Sequence, residues 1–276
     1  MVAATFTRLL LATEHTEFDV GAERVAFELA RQRAVPLAAV LPMVSNVEYE
    51  TVAPDAVARA ETAVFARITQ LRGEAQAAGV EFDIRVRRGE EPYREIIAEA
   101  RDRGADLIVI RRRGKQSILA NLLVGEMVGK VTVYAPCSAL LVPRAARLWS
   151  RRVLAAVDGT RAAPGVAETA ARVAVEAGLP LLVVSVAVHD TPDERAAADA
   201  AVRAATAVAR SLGADVDGRI VAGRAAEAIV ALAAESGADL IVVGRGGPSS
   251  HGRFHLGGNA HRIIGLAVCP VLVVKT

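Results

Sequence analysis

The chain has few of the residues that build cross-linked or metal-stapled folds. Its 276 residues include two cysteines, Cys137 and Cys269, which lie far apart and form no Cys-x-x-Cys pair. This spacing argues against a disulfide framework and against a zinc cluster. Aromatic residues make up 4% of the chain, whereas 53% is hydrophobic and 23% is charged. The composition is therefore typical of a folded protein with a core of Ala, Val and Leu.

Excess charge and long apolar runs are also missing. The formal net charge of +2 is too small to favour nucleic acid as the main partner. No apolar run approaches the ~18 residues that span a bilayer. Between Met1 and Thr16 the apolar stretch Leu9–Ala12 is short and is soon followed by Glu14, so a secretory signal is not expected. We expect a cytoplasmic protein with neither nucleic-acid nor membrane partners.

The chain contains one unit twice. Gly104–Ile110 matches Gly237–Val243 nearly residue for residue, and the flanking segments recur in the same order. Arg8–Ala12 aligns with Arg152–Ala156, and Cys137 aligns with Cys269 at the start of a final apolar run. We therefore predict two domains, residues 1–145 and 151–276. The join, Pro143–Ser150, is too short for a flexible tether, so the halves should pack together.

Each half alternates short apolar runs with helical patterns. Runs such as Leu107–Ile110 and Leu240–Val243 lack polar alternation, which is typical of strands buried on both faces. Strand–helix–strand order predicts a parallel sheet covered by helices on both sides. Ligands of such sheets bind beyond the carboxyl ends of the strands, where the strand order reverses.

Two segments of the second half follow predicted strands and carry candidate ligand groups. Asp158 comes after the first strand, where it can accept from a ribose hydroxyl or an adenine amine, or else cap the next helix. Gly244–Asn259 is a glycine-rich loop that leads into a helix, an arrangement that favours phosphate. Neither a Walker loop nor a dinucleotide fingerprint is present; Gly125–Lys130 has the wrong spacing for the former.

The glycine spacing is more specific. Two residues separate Gly244 from Gly247, and nine separate Gly247 from Gly257. This spacing is similar to that of the ATP-binding loop of the universal stress protein family. Three other segments resemble further elements of that family: Val157-Asp158, Gly223-Arg224 and Cys269–Val274. The resemblance covers nearly the whole chain as a tandem pair. It implies an α/β fold of two Rossmann-like (flavodoxin- or HUP-type) domains, each with a five-stranded, mostly parallel sheet and helices on both faces.

The resemblance also implies a ligand and its contacts. Adenine nucleotide is expected in the second half, ATP foremost, with AMP and ADP left open and Mg2+ only together with nucleotide. Asp158 and Val186 would contact the adenosine. The residues that would contact the phosphates are Gly244, Gly247, Gly257, Gly258 and Asn259. Closing strands in the family often pair between domains, which implies an internal pseudo-dimer here; a homodimer and an unknown protein partner are further expectations.

Both halves depart from the family pattern. Gly258 stands where ATP-binding members have Ser or Thr, and one missing hydroxyl bond, worth ~0.5–1.5 kcal/mol, weakens binding by about tenfold. Asn259 can substitute for that hydroxyl or cap the helix. In the first half Arg111 replaces the first glycine, Glu14 replaces the aspartate and Glu126 follows the last glycine. We therefore expect the first half not to bind nucleotide.

Other candidate groups have less specific interpretations. The basic run Arg111, Arg112, Arg113 and Lys115 is most often a solvated face, with anion capture between the halves as the alternative. His251, His255 and His261 lie close together, but no glutamate accompanies them in a metal-binding motif, so no metal site is expected. The two cysteines are expected in the core.

No arrangement of residues predicts catalysis, so we expect a binding protein rather than an enzyme, with any ATP hydrolysis slow and incidental. Two alternatives remain open. One is a nucleotide-free interaction scaffold in the stress response. The other is an enzyme of the wider adenine-nucleotide α-hydrolase-like superfamily, for which a catalytic residue near Asp158 is needed and none is found.

Overall fold

The computed structural model describes residues 5–45, 54–112, 126–246 and 256–275. The first half consists of β1 (Leu9–Ala12), α1 (Val20–Arg33), β2 (Leu37–Val44), α2 (Pro54–Ala78), β3 (Phe82–Gly89), α3 (Pro92–Asp102), β4 (Leu107–Arg111), α4 (Glu126–Tyr134) and β5 (Ser138–Val142). The second half consists of β6 (Val153–Ala156), α5 (Ala163–Ala177), β7 (Leu181–Ala187), α6 (Pro192–Ser211), β8 (Val216–Ala222), α7 (Ala225–Glu235), β9 (Leu240–Gly244), α8 (Gly258–Leu266) and β10 (Val271–Val274).

All ten strands belong to one sheet, in the order β3-β2-β1-β4-β5-β10-β9-β6-β7-β8. The two halves are joined by β5 and β10, which run antiparallel with Leu140 opposite Leu272. The other described strand pairs are parallel. The predicted α/β class, with helices on both faces of a mostly parallel sheet, is confirmed. The five strands of each half form part of one continuous sheet, since each closing strand hydrogen-bonds to the other.

Two apolar layers run along the sheet, one on each face, and each layer includes both halves. Leu9 and Leu11 of β1 point into one layer with α1, α2, α5 and α6, whereas Leu10 points into the other with α3, α4, α7 and α8. This division follows from the alternation of side chains along a strand. Because both faces are covered, the strands tolerate continuous apolar sequence.

The repeated Gly-Ala-Asp motif fastens the start of the first strand in each half. The carboxylate of Asp106 accepts from the backbone N–H groups of Thr7 (2.9 Å) and Arg8 (3.0 Å). The carboxylate of Asp239 accepts in the same way from the N–H groups of Ser150, Arg151 and Arg152, at 2.8–3.2 Å. This shared role gives a physical reason for the strict repetition of the motif.

The join between the halves is packed onto the first half. Ala146, Leu148 and Trp149 are buried within the apolar layer that contains α1 and α5. The Nη1 of Arg24 donates to the carbonyl of Ala146 at 2.8 Å. At Gly21 a Cβ would lie 2.1 Å from the carbonyl oxygen of Pro143, so this contact requires glycine. The domain limits 1–145 and 151–276 remain predictions.

Element ends follow local signals. Thr191 caps α6 by accepting from the N–H of Glu194 at 3.3 Å, and Pro192 occupies the first turn. Gly178 ends α5 in the left-handed conformation, with φ of 64°. Strand β8 begins at Val216, which pairs with Leu181 of β7 despite the polar residues that follow it.

Candidate functional site

A cavity lies in the second half at the carboxyl ends of β6, β7 and β9. The chain passes from β6 outward to β7 and β8 and then returns to β9 on the other side of β6, so the strand order reverses here. This is the position at which open parallel sheets bind ligands. The cavity has a volume of about 340 Å³, which falls within the range of small-molecule sites.

Six of the seven residues predicted from the sequence line this one cavity. They are Asp158, Val186, Gly244, Gly257, Gly258 and Asn259. The seventh, Gly247, lies outside the described residues. Sequence reasoning missed Thr160, Ser185 and Gly246, which also line the cavity. Their positions beside Asp158, Val186 and the loop glycines were the available signal.

Asp158 does not cap the next helix. The N-cap of α5 is Ala162, which makes no side-chain cap hydrogen bond, so the capping interpretation of Asp158 is wrong. The Oδ1 of Asp158 instead accepts from the N–H of Thr160 at 3.0 Å and from its hydroxyl. This small turn holds an exposed carboxylate in the lining of the cavity.

The loop that follows β9 depends on glycine at specific positions. Gly246 has φ of 92°, which L side chains rarely adopt. At Gly244 a Cβ would lie 3.3 Å from a methyl of Val166 in α5, which is a tight contact. The described residues at the two ends of this loop are joined by a hydrogen bond, in which the N–H of Gly257 donates to the carbonyl of Arg245 at 3.0 Å. At these three glycines the backbone therefore borders the cavity without a side chain.

The N-terminus of α8 faces the cavity without a capping side chain. Gly257 is the N-cap and makes no side-chain cap bond, and the first turn carries no acidic residue. Asn259 therefore does not cap the helix, and its exposed side chain stays available to a ligand. The first amides of a helix lack intrahelical partners and carry the positive end of its dipole. These features fit a phosphate group.

The cavity walls carry little charge. Among the described residues that line the cavity, Asp158 alone has a formal charge. Within the described lining, a phosphate would meet backbone N–H groups, the helix end and the hydroxyl or amide groups of neighbours such as Asn259. The described residues contain no group of three side chains that could hold a metal ion.

The first half has a cavity at the equivalent place, but its lining carries many charged side chains. Its volume is about 420 Å³, and its charged lining residues are Glu14, Glu90, Glu91, Arg111, Glu126 and Lys130. Four carboxylates against two cations disfavour a phosphate. Glu126 begins α4 and lies 2.9 Å from Lys130, which lowers the pKa of the Glu126 carboxyl. The expected failure of this half to bind nucleotide remains a prediction, and the charge balance supports it.

Arg111 and Arg112 are not part of a solvated basic face, so that interpretation of the run is wrong for both. Arg111 is buried and donates to Asp19 and Glu14 of its own half, at 2.8 and 3.0 Å. Arg112 is half-buried and reaches the second half, where its Nη1 donates to the carbonyls of Ile264, Gly265 and Ala267. Arg113 and Lys115 lie outside the described residues.

Arg245 makes the reciprocal contact. It follows β9 as Arg112 follows β4, and its Nη1 donates to the carbonyls of Val133 (2.8 Å) and Ala135 (3.1 Å) at the end of α4. Burial lowers the pKa of both guanidinium groups. Sequence reasoning missed this exchange, although the offset that aligns Gly104–Ile110 with Gly237–Val243 also aligns the two arginines.

The remaining candidates lie away from the cavity or outside the description. His251 and His255 are outside the described residues, so the predicted absence of a histidine metal site is untested there. Cys137 is buried and Cys269 half-buried; burial raises the pKa of their thiols to about 12 and about 11. Neither is therefore a reactive thiolate at neutral pH. No helix in the described ranges is long and apolar enough to cross a membrane.

A doubled α/β unit with a sheet-edge cavity defines the class of protein, and comparison with known proteins names the family. The model of the universal stress protein family matches residues 5–143 and 150–275. The chain belongs to this family, as its glycine spacing indicated. Comparison with curated proteins gives no match.

Two solved structures share the fold over at least 97% of this chain. A universal stress protein from Archaeoglobus fulgidus DSM 4304 is 20% identical, with a TM-score of 0.78 over 99% of this chain and 97% of that one. A candidate universal stress protein from Pseudomonas aeruginosa UCBPP-PA14 is 21% identical, with a TM-score of 0.69 over 97% and 93%. A universal stress protein from Archaeoglobus fulgidus in complex with dAMP is 24% identical over 45% of this chain and 98% of that one, with a TM-score of 0.40.

Proposed function

We propose that the second half binds an adenine nucleotide, ATP foremost, in the cavity at the ends of β6, β7 and β9. The observation that carries the proposal is that Asp158, Val186 and the loop glycines, which are distant in sequence, line one cavity beside the uncapped N-terminus of α8. An adenosine would lie between Asp158 and Val186, and the phosphates would lie at Gly257, Gly258 and Asn259.

The polar groups near Asp158 suit a nucleoside. A carboxylate accepts from ribose hydroxyls or from the adenine amine, and the hydroxyls of Thr160 and Ser185 line the same wall. Apolar side chains such as Val186 and Ile229 provide surface for a base. The cavity therefore combines an apolar pocket with a few polar groups and a phosphate-facing helix end.

We further propose that the bound state, not turnover, is the output in a stress response. Catalysis of hydrolysis needs a base or a metal that activates water. Asp158 is the single carboxylate among the described lining residues, and it is held in a turn with Thr160. Any ATP hydrolysis would be slow and incidental.

The test is to measure nucleotide binding by the full chain and by two matched variants. Protein purified without added nucleotide is denatured and the released nucleotide is separated and identified; thermal shift is then titrated with ATP, ADP and AMP, with and without Mg2+. Asp158→Ala should weaken binding about tenfold or more, as expected for lost bonds to a charged group. Glu14→Ala, the equivalent position in the first half, should leave it unchanged.

A nucleotide-free scaffold is the second candidate. Two observations favour it: no described lining residue of the second cavity is cationic, and Gly258 supplies no hydroxyl. No released nucleotide and no thermal shift with any of the three nucleotides would select the scaffold. Equal loss of binding in the Asp158 and Glu14 variants would place the nucleotide elsewhere.

A further inference from the structure

The two halves exchange one arginine each, and both arginines are connected to a cavity. Arg112 of the first half donates to the carbonyls of Ile264 (2.5 Å), Gly265 (3.1 Å) and Ala267. These carbonyls end α8, the helix whose other end faces the second cavity. Arg245 lies between Gly244 and Gly246 of that cavity and donates to the last carbonyls of α4.

The end of α8 depends on a donor from outside its own half. Its C-cap residue, Ala267, has extended backbone angles and donates its N–H to the carbonyl of Ile263. The carbonyls of Ile264, Gly265 and Ala267 are therefore left for another donor, and Arg112 supplies it. A guanidinium at this position is attracted to the partial negative charge at the C-terminal end of the helix. It therefore holds that end of the helix in place.

A short helix transmits such a constraint to its other end. Helix α8 has nine residues, so its capped end and its cavity end are only about two turns apart. Its first residues, Gly258 and Asn259, have no side chain that caps them and are exposed. Their placement therefore depends on what holds the rest of the helix.

We propose that Arg112 is a positioning residue for the nucleotide site: the first half, through this side chain, holds α8 so that its N-terminus faces the phosphates. This inference rests on the proposed function of the second cavity and adds a role for the first half. A half without a nucleotide loop of its own would then remain necessary for binding by its partner. Arg245 connects the loop of the same cavity to α4 in the opposite direction.

A competing explanation is that Arg112 merely holds the halves together. The chain offers a matched control for this: Arg33 of α1 pairs with Glu176 of α5 at 2.6 Å, and these two helices cover the face of the sheet opposite to α8. Arg112→Gln and Arg33→Gln each remove one guanidinium from the interface between halves. Arg112→Lys keeps a cation near the carbonyls and serves as a second variant should Arg112→Gln fold poorly.

The experiment measures ATP and adenosine affinity by calorimetry, and hydrogen exchange of residues 258–266 without ligand. We expect Arg112→Gln to weaken ATP binding at least about fivefold, with a smaller effect on adenosine, because the helix end faces the phosphates. Exchange in α8 should become faster. Arg112→Lys should lie between this variant and the wild type, and Arg33→Gln should match the wild type in ATP affinity and in α8 exchange.

Equal effects of Arg112→Gln and Arg33→Gln, or none, would overturn the inference. If the wild type binds no nucleotide, the proposed function fails, but exchange in α8 still decides the positioning role. Faster exchange of residues 258–266 in Arg112→Gln alone supports it. Unchanged exchange, or the same increase in Arg33→Gln, contradicts it.

Discussion

Arg111 and Asp19 form a buried ion pair in the first half, with Nη1 and Oδ2 2.8 Å apart and exposed side-chain fractions of 8% and 1%. Arg111 ends β4 as Gly244 ends β9, so a guanidinium stands where the second half has no side chain. Glu14, which follows β1, accepts from the same guanidinium at 3.0 Å. The first half thus has an internal salt bridge where the second half has a glycine that lines its cavity.

Loss of this ion pair should destabilise the protein. Arg111→Gln leaves the carboxylate of Asp19 buried with only the N–H and hydroxyl of Thr16 as described donors, at 2.9 and 2.6 Å. Because removing one partner of a buried pair is strongly destabilising, this variant should lose about 3 kcal/mol of the free energy of unfolding. Urea denaturation measures the loss. Arg172→Gln, which breaks the exposed pair with Glu168, should cost about 0.5 kcal/mol or less.

A double-mutant cycle sharpens that prediction. Asp19→Asn combined with Arg111→Gln should cost clearly less than the sum of the single changes, because each removes the same interaction. Additive costs would show that the two side chains do not depend on each other.

Restoring a hydroxyl should strengthen nucleotide binding. At Gly258 an added Cβ meets no atom of the described residues within 4 Å, so a side chain can begin there without displacing them. One new bond to a charged phosphate should improve affinity by about fivefold to tenfold. Gly258→Ala, which adds the Cβ alone, is the matched control for calorimetric titration with ATP. Serine and alanine variants of equal affinity would mean that no phosphate lies at Gly258.

The loop should depend on glycine at residue 246. Because its φ is 92°, alanine there costs about 1–2 kcal/mol or forces the loop into another path. Gly246→Ala should therefore weaken ATP binding by about tenfold. Gly159, beside Asp158, has open space around its Cβ position and no left-handed φ, so Gly159→Ala should leave affinity unchanged. Unaltered binding in Gly246→Ala would exclude the loop from the site.

The repeat and the parallel sheet could be predicted because they depend on local, periodic features. Buried strands such as Leu107–Ile110 show apolar runs, and the Gly-Ala-Asp motif marks each half. The placement of Asp158 and of the glycine-rich loop at one edge followed from topology, since carboxyl ends of neighbouring parallel strands meet there. Glycine spacing then identified the family.

The partners of Arg111, Arg112 and Asp158 could not be predicted in the same way. A basic run such as Arg111-Arg112 has the same sequence appearance whether it is solvated or buried, because side-chain partners come from distant segments. Asp19 lies far from Arg111 in sequence, and the carbonyls that Arg112 meets belong to backbone, which no residue type marks. The role of Asp158 in a turn with Thr160, rather than as a cap, depended equally on where α5 begins.

A final prediction concerns pH. His15, which has φ of 51°, places its Nδ1 2.9 Å from the Oε1 of Glu23, and the hydroxyl of Thr13 donates to the same oxygen at 2.6 Å. Burial alone lowers the pKa of His15, but the hydrogen bond and charge of Glu23, with smaller effects of Gln70 and Glu74, raise it overall above its ordinary value of 6.5. Burial also raises the pKa of Glu23.

The direction in which pH changes the stability of the fold follows from the raised pKa of His15. A histidine whose pKa is higher in the folded chain stabilises the fold fully below 6.5, and this contribution is lost as pH rises through the folded-state pKa. Wild type should therefore exceed His15→Gln by about 1 kcal/mol in free energy of unfolding near pH ~6, and by less near pH ~8.

Urea titrations at constant ionic strength measure both values. His189→Gln is the control, because His189 makes the same kind of pair with Glu194 at 2.8 Å but is 77% exposed, so its loss should change the free energy of unfolding much less. A difference between wild type and His15→Gln that stays constant from pH ~6 to ~8 would show that the imidazolium does not contribute to the stability of the first half.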